Sequence, residues 1–388
     1  MTSGRGAEAE AGCSPLLVAS EIFRTSRHVH GHPLAIPRVS LCVDLCRALG
    51  WLPDDAYRES GEARVDELAR FHTREYIAAV QRAERHQQLG DAERRRFNLG
   101  INGNPIYGEV FRRPATACGA SLLAARLILK GGIVHNPAGG THHGLPDRAS
   151  GYCVFNDPVL AILALLDGGL ERVFYLDLDA HFGDGVQFAF ADVPRVFTLS
   201  IHEAGRWPMT RSADPFGTGP GSLYDRAGGA ARNLPVPAGF NDSELDFLMN
   251  EAVMPLLIAF RPDAVVIQCG CDALADDPMT RLSLSNGAFF NAVRTVMDVA
   301  PRLLVLGGGG YNPWAVARCW AGIWGTLNGR PLPDRLPENG RELLTAVRWS
   351  HRWGRHPPTA WLDTLVDDPR PGPIGEDVRM AAAVARLP

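Results

Sequence analysis

The amino-acid sequence predicts a single α/β domain in which a central, mostly parallel sheet carries helices on both faces. Short apolar runs typical of buried strands alternate with segments of helical periodicity, and this alternation is characteristic of parallel sheets. Reactive side chains follow several of the apolar runs, as expected where the carboxyl ends of parallel strands meet. The 388 residues are 46% hydrophobic and contain neither an internal repeat nor a long linker, which favours one domain.

Three regions are expected along the chain. Residues 1–14 are small and polar and are predicted to be disordered, residues 15–349 to form the main domain, and residues 350–388 to form a surface-wrapping or partly mobile extension. The predicted strands are Pro15–Ser20, Arg172–Leu176, Val196–Ile201, Ala264–Gln268 and Leu303–Leu306. The predicted helices are Asp66–Arg85, Ala115–Leu129, Asp157–Leu166, Ser243–Phe260 and Asn286–Val299.

The composition argues against several classes of protein. The net charge is −4 at pH 7, which is unlike a nucleic-acid-binding footprint. The N-terminus lacks the apolar core of a signal peptide, and no apolar run approaches the length of a membrane span. The eight cysteines are scattered without paired spacing, which indicates buried thiols in a reducing compartment. A cytoplasmic protein without nucleic-acid or membrane partners is expected, and the sequence leaves its oligomeric state open.

The stretch Val173–Gln187 carries the strongest chemical pattern. An apolar run ends in Asp177, Asp179 and His181, which are spaced two positions apart. Side chains at this spacing lie on one face of a strand, and such a face suits a divalent metal better than it suits a core. The alternative is a strand end with solvated acids and a chance histidine. A further carboxylate, Asp184, follows in a glycine turn.

Three other stretches deliver candidate groups to the same edge of the sheet. A glycine-rich loop presents His142 and His143, a pair suited to proton transfer, and Tyr152 follows near the cleft. Asp272 follows a buried strand across a glycine, where it is either a third metal ligand or a helix N-cap. Four glycines bring Tyr311 close over the cleft. The helix that follows is expected to present one apolar face, formed by Trp320, Ile323, Trp324 and Leu327.

These groups together favour a catalytic metal centre. Two carboxylates and one imidazole leave an open position on a four-coordinate metal, which is typical of catalytic rather than structural sites. A nearby histidine can accept a proton from metal-activated water, and a tyrosine hydroxyl can stabilise a developing oxyanion. The chemistry that fits these parts is hydrolysis of an amide.

The motifs closely resemble those of the zinc-dependent histone deacetylase superfamily, and most closely its bacterial acetoin utilization deacetylases. The similar stretches extend from about His32 to Gly329. They are GGTHHG, ASGYCVFND, YLDLDAHFGDGVQ, LSIHEAGR, NLPVPAG, GCDALADDPM and LGGGGYNPWAVARCW. The resemblance implies an arginase/deacetylase fold and a zinc ion on Asp179, His181 and Asp272, although iron(II) suits the same ligands.

The same resemblance implies roles for further residues. His143 would be the general base and acid, supported by Asp184, and His142 would act electrostatically. Asp177 would support His142, and Tyr311 would polarise the carbonyl. A structural potassium ion would be held by the side chains of Asp177, Asp179 and Ser200 and the backbone carbonyls of His181 and Ile201. The tunnel for the acyl-lysine would be formed by Tyr152, Met279 and Gly309, with Arg38 at its inner end.

Three departures from the family pattern stand out. His181-Phe182 stands where many members have two histidines, which changes packing but removes no ligand. The loop Ile101–Pro105 offers Asn102 and Gly103 where the family usually has a rim aspartate that binds the substrate backbone. The segment Arg206–Gly219 is longer than usual, so that either Trp207 or Phe216 is expected to form the second tunnel wall.

The sequence therefore predicts a zinc-dependent deacylase that removes acetyl or longer acyl groups from N-acyl-lysine of proteins. The nearest alternative is hydrolysis of acetylated polyamines or another small acylated amine, which the altered rim favours somewhat. A ureohydrolase of the same fold would need more bridging ligands than the sequence offers. An inert acyl-lysine-binding scaffold is the alternative of another class, and it predicts the loss of a ligand, a histidine or Tyr311, none of which is missing.

Overall fold

The computed structural model describes residues 14–209 and 214–387, and its strands form one parallel sheet. In chain order they are β1 (Leu16–Ala19), β2 (Tyr57–Glu59), β3 (Gly132–Asn136), β4 (Val173–Asp177), β5 (Val196–Glu203), β6 (Ala231–Val236), β7 (Ala264–Gln268) and β8 (Arg302–Leu306). Their order across the sheet is β2-β1-β3-β8-β7-β4-β5-β6, and each neighbouring pair is parallel. The predicted α/β fold with a central parallel sheet is therefore confirmed. Residues 1–13, which fall in the segment predicted to be disordered, lie outside the described ranges.

Helices cover both faces of this sheet. They are α1 (Ile22–Thr25), α2 (Val39–Ala48), α3 (Val65–Leu68), α4 (Arg74–His86), α5 (Asp91–Phe97), α6 (Arg112–Ile128), α7 (Asp157–Asp167), α8 (Asp184–Phe190), α9 (Asp242–Leu248), α10 (Met254–Phe260), α11 (Asn286–Met297), α12 (Pro313–Leu327), α13 (Glu338–Thr345), α14 (Thr359–Asp363) and α15 (Glu376–Ala385). In β4 the side chains of Phe174 and Leu176 pack into the core with α2, α11 and α12. Val173 and Tyr175 pack into the opposite core with α6 and α7, because successive side chains of a strand point to opposite faces.

The five predicted strands lie within two residues of β1, β4, β5, β7 and β8. The other three strands were not predicted, because they lack the long apolar run that is typical of a buried strand. β2 has only three residues, and β3 begins with glycine and ends with histidine and asparagine. β6 contains Arg232, Asn233 and Pro235 and lies at the edge of the sheet, where a proline is tolerated.

Two predicted helices are interrupted. The segment Asp66–Arg85 divides into α3 and α4, because Thr73 starts a new helix by accepting a hydrogen bond from the backbone N–H of Tyr76 (3.3 Å). The segment Ser243–Phe260 contains α9 and α10 separated by a π-helical turn at Met249–Val253. Apolar periodicity alone does not reveal either change.

The four residues predicted to form an apolar face of α12 are buried in the core, and every other residue of this helix is buried as well. Its tryptophans also use their indole N–H groups: Trp320 donates to Cys269 O (3.0 Å) and Trp324 to Trp51 O (2.9 Å). The Asn312 side chain caps the helix by accepting from the N–H of Trp314 (3.1 Å). This capped helix therefore starts two residues after Tyr311.

The chain after residue 350 packs on the main domain through α14 and α15. Val378, Ala381 and Ala385 of α15 are buried in the same core as α12. The Arg232 side chain on β6 donates from Nε to the carbonyl of Ala385 (2.8 Å). These contacts attach the C-terminal helix to the edge strand of the sheet.

A buried ion pair links α12 to this C-terminal segment and leads to a stability prediction. The fully buried Arg318 lies 2.7 Å from Asp367, whose side chain is 16% exposed. Asp367→Ala would leave the buried guanidinium without its counter-charge, so we expect the free energy of unfolding to fall by about 3–5 kcal/mol. Denaturant titration measures this change. Glu251→Ala, which breaks a half-exposed pair with Arg386, is the control, with an expected loss below about 1 kcal/mol; equal losses would contradict the prediction.

Candidate active site

A cluster of metal-ligand types lies at the carboxyl end of the central strands. One ligand atom from each of Asp179, His181 and Asp272 lies within 4.8 Å of the others. His181 Nδ1 is 2.9 Å from Asp272 Oδ2 and 3.3 Å from Asp179 Oδ1, and all three side chains are buried. The structure thus brings together the three residues predicted as metal ligands.

The predicted reason for this convergence is wrong. β4 ends at Asp177, so Asp179 and His181 lie in the following loop and not on one face of the strand. Backbone hydrogen bonds shape that loop: Asp177 Oδ1 accepts from the N–H of Asp179 (3.1 Å), and Asp179 Oδ1 accepts from the N–H of His181 (3.0 Å). Asp272 lies in a short 3₁₀ turn, and its Oδ1 accepts from the N–H of Ala180 (3.0 Å).

Two glycines allow the carboxylates to lie against the backbone. A Cβ atom at Gly270 would overlap Asp179 Oδ2, and one at Gly309 would overlap Asp272 Oδ2. The N–H of Gly309 also donates to Asp179 Oδ2 (2.7 Å). Gly309, predicted to line the tunnel, is therefore part of the floor that supports the ligands.

The donor set fits a divalent metal. Within the described ranges, neither Asp179 nor Asp272 forms an ion pair with arginine or lysine, although both are buried. Burial alone would lower the pKa of His181, but its hydrogen bonds to the two carboxylates raise it to about 10. The cluster therefore stabilises a positive charge, and one imidazole with two carboxylates is a donor set that zinc and iron(II) both accept.

The two adjacent histidines each face a carboxylate. His142 Nδ1 lies 2.7 Å from Asp177 Oδ2, and His143 Nδ1 lies 2.6 Å from Asp184 Oδ1. Burial disfavours a charged His142, but Asp177 and Asp179 outweigh it and raise the pKa of His142 to about 9. Burial and the charge on His142 lower the pKa of His143 to about 4. One imidazole is thus held protonated and the other neutral at pH 7.

Tyr311 completes the group. Burial and the carboxylates of Asp272 and Asp179 hold the pKa of Tyr311 well above its usual value, so the hydroxyl remains a hydrogen-bond donor. The backbone N–H of Tyr311 donates to Asp277 Oδ2 (2.6 Å). Sequence reasoning missed Asp277. Its position in an Asp-Asp-Pro turn shortly after Asp272 was the available signal, since such turn aspartates bind backbone N–H groups.

These groups open onto a cavity of about 1180 Å³. His143, His181 and Tyr311 contribute to its lining, as do the predicted tunnel residues Tyr152 and Met279. A small inner space of about 40 Å³ is lined by Arg38, Gly309, His142 and Asp179, among others. Arg38 donates from Nη1 to the carbonyl of Gly308 (2.8 Å), which places its guanidinium at this inner end.

The structure distinguishes the two candidates for the second wall. Trp207 lines the large cavity, and its ring centroid lies 4.7 Å from that of His143. A Cβ on Gly151 would overlap the Trp207 ring, so the loop before Tyr152 lies directly against it. Phe216 instead packs against the hydrophobic core. Residues 210–213 of this segment lie outside the described ranges.

The residues expected to hold potassium include Asp179 and His181 of the cluster together with residues of β4 and β5. Asp177 and Ser200 are paired neighbours on β4 and β5, and Ile201 follows on β5. Ser200 Oγ lies 2.9 Å from His202 Nδ1, and His202 Nε2 lies 2.9 Å from the carbonyl of Gly221. His202, the penultimate residue of β5, is thus engaged in structural contacts and is not among the residues that line the large cavity.

Comparisons with known proteins agree with this geometry. The family described as the histone deacetylase domain matches residues 32–327. The acetoin utilization protein AcuC of Bacillus subtilis (strain 168) is 32% identical over 358 residues, which are 90% of this chain and 89% of that protein.

Two solved structures share the fold. They are a crystal structure of an HDAC homologue from Aquifex aeolicus and one of an HDAC homologue complexed with SAHA. Each is 34% identical, has a TM-score of 0.89, and matches 96% of this chain and 100% of the other chain. The predicted arginase/deacetylase fold is thereby confirmed. Across the described ranges, each helix is too short or too polar to cross a membrane.

Proposed function

The chain belongs to the histone deacetylase family of hydrolases, and from this membership we propose that it removes acetyl or longer acyl groups from lysine side chains of proteins. The observation that carries the proposal is the convergence of three kinds of group on one cavity. These are a metal-ligand cluster, a histidine pair with one neutral imidazole, and a protonated tyrosine. Each is required for hydrolysis of an amide by activated water.

Asp179, His181 and Asp272 would hold a zinc ion, or iron(II), which supplies a Lewis acid for the carbonyl and lowers the pKa of water. His143 accepts the proton of the attacking water at Nε2 and later donates it to the leaving amine nitrogen. The Asp184 carboxylate at Nδ1 keeps His143 in the required tautomer.

Two groups stabilise the charge that develops on the carbonyl oxygen. The Tyr311 hydroxyl donates a hydrogen bond to it, and the protonated His142 contributes a fixed positive charge nearby. Asp277 holds the Tyr311 backbone, so that the hydroxyl is positioned before the substrate binds.

The remaining assignments concern binding. Tyr152 and Trp207 would enclose the aliphatic part of the acyl-lysine, with Met279 beside them and Arg38 at the inner end. A potassium ion would be held by the oxygens of Asp177, Asp179 and Ser200 and by the carbonyls of His181 and Ile201, since hard cations prefer oxygen ligands. We place the protein in the cytoplasm, because the seven cysteines in the described ranges are free thiols.

The experiment that tests the proposal measures turnover by purified, zinc-loaded protein. Three matched substrates are compared: an acetyl-lysine peptide, the same peptide with a longer acyl group, and an acetylated polyamine. Tyr311→Phe is expected to lower kcat by about 10²–10³-fold on the preferred substrate, because it removes one oxyanion donor. Tyr224→Phe, which changes an exposed tyrosine outside the cavity wall, is the matched control.

The results separate the candidate functions. Preference for the peptides supports the proposed protein substrate. Preference for the polyamine would indicate that the same chemistry acts on a small acylated amine. Urea release from a guanidino substrate would indicate a ureohydrolase. Tight binding of the acetyl-lysine peptide without turnover by metal-loaded protein would refute the enzyme and support the binding scaffold.

A further inference from the structure

The mouth of the large cavity has an unusual distribution of charge. Its lining includes the side chains of Glu203, Arg206 and Arg281 and the amides of Asn98 and Asn102. Among the described lining residues, Glu203 is the only carboxylate. Two guanidinium groups therefore share one carboxylate, and one positive charge remains uncompensated at the mouth.

Glu203 is fully used in holding the two arginines. Its side chain is buried, and its Oε1 accepts from Arg206 Nη2 (3.0 Å) and Arg281 Nε (2.8 Å). Its Oε2 accepts from Arg206 Nε and from the backbone N–H of Arg281 (3.0 Å). Four donors occupy both oxygens, so this carboxylate is not available to bind a cationic substrate.

The two arginines differ in how many of their side-chain nitrogens remain free to donate a hydrogen bond. Arg206 donates its Nη1 to the carbonyl of Met279 and is only 22% exposed. Arg281 is 69% exposed and donates its Nε to Glu203, and its backbone carbonyl accepts from the N–H of Gly239 (2.7 Å). In the part of the chain that the structure describes, its two terminal nitrogens have no hydrogen-bond acceptor. The backbone and Nε of Arg281 are therefore held in place, while its exposed side chain contributes to the cavity lining.

We infer that Arg281 selects acylated amines that carry a carboxylate beyond the scissile amide, and that Glu203 positions it for this purpose. The inference rests on the proposed function, since it concerns the substrate of the same site. The Arg281 fork presents two parallel N–H donors, which match the two oxygens of a carboxylate. The acyl end lies at the floor with His143 and Tyr311, so the carboxylate belongs to the amine part of the substrate.

A polyamine has the opposite charge, and among the described lining residues it finds no carboxylate free to pair with it. A cationic amine would meet the uncompensated charge of Arg281 and the neutral amides of Asn98 and Asn102. Bringing like charges together and removing water from an unpaired ammonium are both unfavourable. The carboxylate itself has two sources: the α-carboxylate of a free or C-terminal acyl-lysine, or an acidic residue beside acyl-lysine in a protein.

The test measures binding and turnover separately. Zinc-loaded Tyr311→Phe protein, which turns over slowly, is titrated by calorimetry with Nα-blocked Nε-acetyl-lysine, with its α-carboxamide and with N-acetyl-1,5-diaminopentane. Two acetyl-lysine peptide amides, with aspartate or asparagine after the lysine, distinguish the second source of carboxylate. We expect the carboxylate ligand to bind about fivefold more tightly than its carboxamide, and this preference to weaken with salt.

Two arginine variants locate the origin of that preference. Adding Arg281→Gln is expected to equalise the carboxylate and carboxamide affinities. Adding Arg85→Gln, which removes the same charge from an exposed position outside the cavity wall, is expected to leave them unequal. The inference would be overturned if protein that keeps Arg281 bound the carboxylate and the carboxamide ligands equally well. It would also be overturned if the preference for the carboxylate stayed unchanged after Arg281→Gln. Turnover by the unmodified protein reports on the proposed function independently, because the binding preference is measured without it.

Discussion

Asp272→Asn is expected to abolish most of the activity together with metal binding, while the fold is retained. Asparagine has the shape of aspartate, and its side-chain oxygen can still accept the hydrogen bond from the N–H of Ala180. The change replaces the second oxygen, which faces His181, by an NH₂ group that cannot bind a metal. It also removes one of the two negative charges in the cluster.

Loss of a residue that only supports a metal ligand lowers metal affinity by about 10–100-fold. We expect Asp272→Asn to lower the affinity for zinc by more than this. Competition with a zinc-binding dye measures the affinity, and circular dichroism reports on the fold. Asp276→Asn is the matched control, because Asp276 accepts a hydrogen bond from the indole of Trp361 (2.7 Å) and takes no part in the cluster. Normal zinc binding by the Asp272 variant would remove this residue from the ligand set.

His143→Ala is expected to lower kcat by about 10²–10⁴-fold, the range typical of a lost general base. His143 lines the large cavity, so truncation leaves a space that is open to solvent and wide enough for free imidazole. We therefore expect added imidazole to restore part of the activity. KM and zinc content are expected to change little, because His143 is not among the three residues that could hold the metal ion.

His142→Ala provides the comparison. His142 is buried against Asp177 and lines only the small inner space, so added imidazole is not expected to restore its activity. The two variants assayed side by side, with and without imidazole, distinguish a base that exchanges protons from a fixed charge. Rescue of the His142 variant alone would reverse the assignment of the two histidines.

The fold was largely predictable because it depends on local patterns. Apolar runs and their alternation with helices identified the neighbouring strands β8, β7, β4 and β5, where burial on both faces leaves a strong signal. The edge strand β6 was missed because Arg232 and Pro235 interrupt its apolar character. The complete burial of α12 was missed because its outer face is covered by the C-terminal segment, and that contact is encoded far away in the sequence.

Most residues of the site could be predicted from the sequence, but the way in which the fold brings them together could not. Asp179 and His181 were identified by a spacing rule that does not describe their actual geometry, since the loop after β4 and the bare backbone of Gly270 bring them together. Arg281 carried no local signal. Its role depends on Glu203, which lies 78 residues earlier and meets it only when the loops at the strand ends are in place.

The positions of Asp179, His181 and Asp272 would also allow a bound metal ion to link two strands of the sheet. His181 follows β4 and Asp272 follows β7, and these strands are neighbours although the two ligands are 91 residues apart in the chain. An ion bound to both joins two distant parts of the polypeptide at their junction. By mass action such an ion adds about 2.7 kcal/mol of stability when its free concentration is 100 times its dissociation constant. Cellular metal supply would then govern how long the folded protein survives, as well as how fast it works.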